Sequence, residues 1–482
     1  MECCFERKAP KSDGETGSGC PFADETEFFD VDGKAFCRFH LGMSDDAGQP
    51  TAKADWRLDD HKRFFRNLRS WARDAMQGGR MVDFAGVVFP IGFKPAIVFG
   101  VGGSIPRITF RQCVFTGKAT FRTAAFADLA VFADATFEED ADFRSAAFGD
   151  QANFDGATFQ RKADFVLVGF MDFAKFENAV FAQLATFESA SFGSWTFFTK
   201  ARFHNKNGTN FDYAAFNNGV FFDGAVFLGR MSFQVRTEQN RLWNVQRGFA
   251  DDDDVNERQD RNFPQINFKG AVFKDRIDFS NRHFLEATDF SDVVFEVAPE
   301  FHNCVLHQDT DFSGAQFKDT TGEHAARTYR TLKLAMGEVR AANEEAMFYA
   351  KEQDSLRHRT DTPGSIKLMS WLYMALSDYG RSYVRPLVIL ALLTAGSSLA
   401  YYLWHVWLAG SGEPGNAFTF AMTQVVRPFF VWTTGGIGQS ELPAIATAWP
   451  LALRLVATAQ SIASIGLVTL FLLSLRRRFR LH

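Results

Sequence analysis

The spacing of the phenylalanines constrains this chain more than any other feature. From Phe110 they fall at Phe115, Phe121, Phe126, Phe132, Phe137, Phe143, Phe148, Phe154, Phe159, Phe165 and Phe170, then at Phe176, Phe181, Phe187, Phe192, Phe198 and Phe203. The steps alternate five and six residues without a miss. A small residue stands two before most of them, as at Ala119, Ala130, Ala141, Ala152, Ala163 and Ala185. The register slips around His204 to Gly208, resumes from Phe211 to Phe233, and returns after a second interruption from Phe268 to Phe317, with Leu306 in one slot. With 56 Phe against 8 Tyr and 9 Trp, one geometrical slot is being filled again and again.

A helix with an eleven-residue repeat would supercoil right-handedly. Composition excludes it, because the runs between the phenylalanines are loaded with Gly, Asp and Asn, which weaken helix interiors. The remaining solution is a solenoid in which each unit forms one side of a coil. The Phe points inward and stacks on its equivalent in the next coil, and the small residue leaves space at the corner.

Triplets such as Ala141-Asp142-Phe143, Ala152-Asn153-Phe154 and Ala157-Thr158-Phe159 carry a resemblance to the pentapeptide-repeat family, whose central Leu or Phe follows a small and a polar residue. The resemblance covers Val82 to Phe317 apart from the second interruption. It implies a mainly β chain built as a right-handed four-sided β-helix. The alternation of five with six departs from the family pattern and predicts about 22 residues per coil instead of about 20. Cys113 and Cys304 sit two before a central position and read as small buried hydrophobes.

The interruption from Gln234 to Arg261 contains Asp251 to Asp254 but lacks the alternate spacing and turn glycine of a calcium loop, so it reads as a solvated loop. Net charge is −5, which argues against a phosphate-bound nucleic-acid partner. Some relatives in the pentapeptide-repeat family mimic DNA and bind topoisomerases through a strongly acidic surface. Arg107 to Phe233 holds 12 Lys/Arg and 14 Asp/Glu, so that reading is the less favoured one.

Met1 to Pro21 holds no apolar signal core, and six cysteines are scattered over 482 residues, so a reducing compartment is expected. Cys4, Cys20, Cys37 and His40 form a candidate Cys₃His zinc site in which Cys3 competes with Cys4; the alternative is unrelated free thiols. Trp56 to Met76 is amphipathic and predicts a helix that caps the first coil. After the repeats, Tyr329, Leu332 and Met336 share one helical stripe and Ala346, Tyr349 and Ala350 another. This segment resembles the linker that follows the repeats in bacterial membrane-bound pentapeptide-repeat proteins.

Pro386 to Leu408 and Leu455 to Leu475 are uncharged and long enough to cross a bilayer core of about 30 Å. Arg381 and Arg385 precede the first, and Arg476, Arg477, Arg478 and Arg480 follow the second, while the connection between them is poor in charge. The asymmetry predicts a multi-pass protein of the inner (cytoplasmic) membrane with both termini and the β-helix cytoplasmic. Ile366 to Tyr379 reads as an interfacial helix. Asn416 to Trp432 is apolar but too short to span easily, and Thr433, Thr434, Gly435, Gly436, Ile437 and Gly438 follow it. Thr434 to Gly438 resembles a potassium-channel filter. It departs from that filter in having Gly435 where valine is usual, Ile437 for the aromatic, Gln439 where an acid is common, and Arg427-Pro428 in the would-be pore helix. Gln460 and Ser464 share a helical face with Ala457 and Ser461, suited either to a pore lining or to close helix packing.

The expected organisation is a Cys/His segment (1–50), a capping helix (51–81), a solenoid (82–233), an acidic insertion (234–262), the solenoid continued (263–320), a helical linker (321–380) and a membrane module (381–482). No nucleophile, base or paired-carboxylate constellation is found, so an enzyme is not expected. Two readings follow. One is a cytoplasmic sensor or platform coupled to an ion-channel-like homo-oligomer of about four copies passing monovalent cations. The other is a non-conducting scaffold, tethered to the lipid bilayer, that binds a protein partner along the solenoid.

Overall fold

A computed structural model describes residues 3–6, 20–22, 27–100, 102–235, 262–322, 324–409, 414–426 and 451–479. The chain forms two compact units, Met1–Glu344 and Glu345–His482.

The first unit is a β-solenoid of two-residue strands. One coil is Thr136–Phe137, Ala141–Asp142, Ala147–Phe148 and Ala152–Asn153, and each strand lies parallel to its equivalent in the next coil. The partners Phe137↔Phe159 and Ala141↔Ala163 are both 22 residues apart, as the alternating spacing requires. Equivalent strands accumulate into four parallel sheets of ten, eight, seven and five strands, one on each side of the column.

The two step lengths are two kinds of corner. Every five-residue step turns through a residue in the left-handed region two places after the Phe, as at Gln112, Thr123, Asp134, Ser145, Gly156, Leu167 and Asn178. Asn, Asp and Gly tolerate that conformation cheaply, whereas a residue such as Leu167 does not.

Four ladders of rings fill the interior. Phe132, Phe154 and Phe176 stack with centroids 4.8 and 4.9 Å apart and planes within 3°, and Phe137, Phe159 and Phe181 do the same at 4.7 and 4.9 Å. These distances equal the spacing of hydrogen-bonded strands, so flat rings stack without disturbing the backbone ladder. Neighbouring ladders meet edge to face, as where Phe143 meets Phe154 at 5.4 Å and 89°. Cys113 and Cys304 occupy alanine slots, each donating its thiol hydrogen across one coil, to the Phe84 and Phe279 carbonyls at 2.9 Å. Burial pushes both thiols up, Cys304 to about 12, which suits inert packing residues.

Two irregularities are absorbed locally. Thr209 pairs with Ala185, 24 residues back, so the slip near His204 adds two residues to one coil. At the larger insertion, the strand Asn262–Phe263 pairs with His283–Phe284. Phe263 takes a place in the fourth ladder, 5.9 Å from Phe216 and 5.3 Å from Phe284, one rung before the expected resumption at Phe268. Arg282 fills the inward slot two before Phe284. Fully buried, it donates through Nε to the Phe233 carbonyl (2.7 Å) and lies over the Phe263 ring.

Both ends of the column are covered. The helix α1 (Leu58–Gln77) buries Phe64, Phe65, Leu68, Ala72 and Ala75, setting Phe64 edge-on to Phe89 and Trp71 beside Phe84 of the first coil. The short α2 (Pro95–Phe99) accepts Arg69 Nε on its Ile97 carbonyl at 2.9 Å. At the other end, α3 (Ala325–Glu338) buries the expected stripe of Tyr329, Leu332 and Met336, with the Tyr329 ring edge-on to Phe317.

The second unit is helical: α4 (Ala342–His358), α5 (Gly364–Ser377), α6 (Val384–Ala409), α7 (Pro414–Val426) and α8 (Leu451–Phe479). Helices α6, α7 and α8 pack on one another, and α5 touches α6 and α8.

Candidate functional site

The sequence ahead of α1 builds a small hairpin. Strands β1 (Phe28–Val31) and β2 (Lys34–Cys37) are antiparallel and joined by Asp32-Gly33, both left-handed, the two-residue turn that Asp-Gly favours between strands. β2 ends at Cys37, and the chain then turns so that the amides of His40 and Leu41 both donate to the Cys37 carbonyl. That turn brings His40 Nδ1 to 3.2 Å from Cys37 Sγ. Cys20 Sγ lies 3.4 Å from the same nitrogen and 3.8 Å from Cys37 Sγ, and Cys3 Sγ lies 3.3 Å from the nitrogen. All four donor atoms fall within 4.8 Å of one another.

This set differs in one ligand from the expected Cys4, Cys20, Cys37 and His40. Cys3 points into the cluster while Cys4 is exposed, its amide pairing with the Ala35 carbonyl beside β2. Adjacent residues on an extended segment face opposite ways, so only one of the pair can point inward.

The donors fit a tetrahedral ion. Zinc bonds of about 2.3 Å to sulfur and about 2.0 Å to nitrogen place sulfurs about 3.8 Å apart and sulfur and nitrogen about 3.5 Å apart. His40 Nε2 lies 2.9 Å from the Ala85 carbonyl and donates to it, which leaves the Nδ1 lone pair for the cluster. Phe5 stacks on the imidazole at 4.1 Å and Phe22 is tilted against it. The Cys37 amide also donates to Cys3 Sγ at 3.3 Å. Hydrogen bonds from Cys20 and Cys37 hold the Cys3 thiol far below its ordinary value, and the same bonds push the two donors up, Cys20 to about 11.

The second feature is apolar. Val384–Trp404 and Leu455–Arg476 are long and apolar enough to cross a membrane, and only 17% of each is buried. A core helix of a soluble protein would be mostly covered. Leu387, Val388, Leu392, Leu399, Leu403 and Trp407 of α6 are exposed, as are Leu455, Val456, Ile462, Ile465, Leu472 and Leu473 of α8. The inner faces carry polar groups. Tyr401 donates to Gln460 Oε1 at 2.7 Å, Gln460 Nε2 donates to the Ala421 carbonyl at 3.0 Å, and Ser461 donates to Gln424 at 3.3 Å. Gln460 thus ties α8 to both α6 and α7 within one chain. Ser464 is buried on the same face, its hydroxyl without a partner among the described residues. Helix α5 exposes Ile366, Leu368, Met369 and Trp371, an apolar face suited to a membrane surface.

The candidate filter residues Thr433, Thr434, Gly435, Gly436, Ile437 and Gly438 lie outside the described residues, as do Asp251 to Asp254. Sequence reasoning missed three groups: Lys53, buried beside the Cys/His cluster; Tyr401, the partner of Gln460; and Arg282 at the insertion. The Asp-Gly turn between alternating apolar residues was the available signal for the hairpin that presents Cys37. Comparison with protein-family models, with curated proteins and with solved structures finds no match.

Proposed function

We propose that this chain is a membrane-anchored repeat protein of the pentapeptide-repeat type, whose cytoplasmic solenoid serves as a sensor or binding platform for a protein partner. One observation carries the reading: two apolar helices of spanning length turn their large side chains outward at one end of a chain otherwise built for water. The basic residues flanking both apolar stretches support placing the solenoid in the cytoplasm, at the inner membrane of a bacterium. Ending the chain after Tyr379 should move the solenoid from the carbonate-resistant membrane pellet to the supernatant. A truncated chain that stays in the pellet would contradict the anchor.

A second reading couples the solenoid to an ion-channel-like module passing monovalent cations, and α7 favours it. Its 13 residues are too few to span, yet it packs on both long helices, the order of a two-span pore unit. A pore of this kind needs a homo-oligomer of about four copies. Purified full-length protein should then behave as a tetramer and release cations from loaded vesicles, and Gly436→Val should abolish that release. A monomer without flux leaves the platform reading alone. For the N-terminal cluster we propose zinc, because three thiols and an imidazole at tetrahedral spacing suit that ion.

A further inference from the structure

The four donors of the N-terminal cluster come from three separate stretches of chain, and each stretch also touches the solenoid or its cap. His40 donates to Ala85 and the Phe39 carbonyl accepts the Val88 amide at 2.9 Å, both on the first coil. Between those two residues lies Gly86, left-handed at φ +73°, and a Cβ there would fall 2.1 Å from the Phe5 ring. Phe5 is therefore held between the imidazole on one side and a glycine on the other that alone permits so close an approach. Phe22 stacks on Phe39 at 4.1 Å and leans on Trp71 of α1.

A buried lysine adds a second, independent observation. Lys53 is fully buried, and its ammonium donates to the Arg38 and Phe39 carbonyls at 3.0 and 3.3 Å, the two residues between the ligands Cys37 and His40. The faces of Trp56 and Phe64 lie 5.1 and 4.9 Å away. Among the described residues no carboxylate forms an ion pair with it. Burying a cation is costly unless charge nearby compensates it. A dication with three thiolates and a neutral imidazole carries a net charge of about −1, which is what this ammonium lacks.

Resting on the zinc reading above, we propose that the ion held by Cys3, Cys20, Cys37 and His40 is a latch that fastens the start of the chain onto the first coil, with Lys53 as its buried counter-charge. Four protein ligands leave no open position, so the site is structural. The ion joins residues 3–6, Cys20 and the β2 turn into one body, and the bonds of His40 and Phe39 seat that body on Ala85 and Val88. The exposed edge of the first coil is thereby covered, as the terminal repeat of a solenoid requires.

The test uses full-length protein in detergent, loaded with Zn²⁺ or stripped by a chelator. The loaded protein should hold one zinc per chain, Cys3→Ser should lose it and Cys4→Ser should keep it. Stripping should speed amide exchange at Leu41 and Val88 by about 100-fold or more while exchange across Ala130 to Phe203 stays unchanged. Lys53→Met should weaken zinc binding by about tenfold or more while the stripped variant exchanges like stripped wild type, a pattern a merely structural role would not give. Zinc bound with no change in exchange on stripping overturns the latch and leaves the zinc reading standing. An unchanged affinity in Lys53→Met overturns the counter-charge. Failure of wild type to bind zinc removes both the zinc reading and the latch.

Discussion

Phe154 is fully buried, with Phe132 and Phe176 stacked on its two faces and Phe143 and Phe165 meeting it edge to face. Phe154→Ala therefore opens a cavity walled by rigid rings and should cost about 3–5 kcal/mol in chemical denaturation. Phe154→Leu should cost clearly less, since Leu306 holds an equivalent slot. A loss in Phe154→Ala no larger than that of an exposed position would contradict the inward stacking. At the corners the reasoning changes sign. Leu167 is 43% exposed and sits at φ 58°, where the corners half a coil before and after it use Gly156 and Asn178. Leu167→Gly should raise stability by about 1 kcal/mol by relieving the left-handed strain. The rungs were legible in the sequence because their period is strict. The choice of Cys3 over Cys4 was not, because adjacent cysteines carry no cue to which one faces inward. Lys53 was hidden for a different reason: composition places lysine outside, and only the turn between Cys37 and His40 gives it two carbonyls to hold.

Elements of two residues have no stability of their own, so the coil is the working unit. Deleting Ala141 to Lys162 removes one whole coil and sets Asp140 before Ala163 in register, so the protein should remain folded with one turn fewer. Deleting only Ala141 to Ser145 brings Phe-bearing strands against Ala-bearing ones and should abolish the fold by circular dichroism. The outer faces contribute less. Asp142 accepts Arg144 Nε at 2.9 Å and a second guanidinium N–H at 2.6 Å, and those bonds hold its carboxyl below the usual range. A carboxyl lowered on folding contributes stability that is complete above the unfolded value near about 4 and lost as pH falls through the folded one. Asp142→Asn should thus cost about 1 kcal/mol at neutral pH, a difference that vanishes in acid. Should the gap persist below that window, the ion pair is not its source. In the helical unit, Gln460→Leu removes both bonds that tie α8 to Tyr401 and Ala421 and should lower stability in detergent by about 1 kcal/mol. Sequence placed Gln460 on a polar face without saying whether it faced a pore or another helix. The answer depends on Tyr401, 59 residues away, and no local pattern links the two.

At the scale of the molecule, the solenoid is closed at both ends and the helical unit leaves its apolar faces open. The column hides its apolar rings under α1 and α3, whereas α6 and α8 leave rows of Leu, Val and Ile uncovered. Uncovered apolar rows on helices of spanning length suit a lipid environment, the setting the anchored reading requires. The most direct test is labelling by an impermeant thiol reagent in sealed vesicles of known orientation, on a Cys4→Ser background, with one cysteine at Gly412, between the two spans, and another at Asn218, exposed on the column. The account predicts that Gly412→Cys reacts only from the outer face and Asn218→Cys only from the cytoplasmic face. Reaction of both from the same face would mean that α6 and α8 do not cross the bilayer, and the anchored solenoid would fall with them.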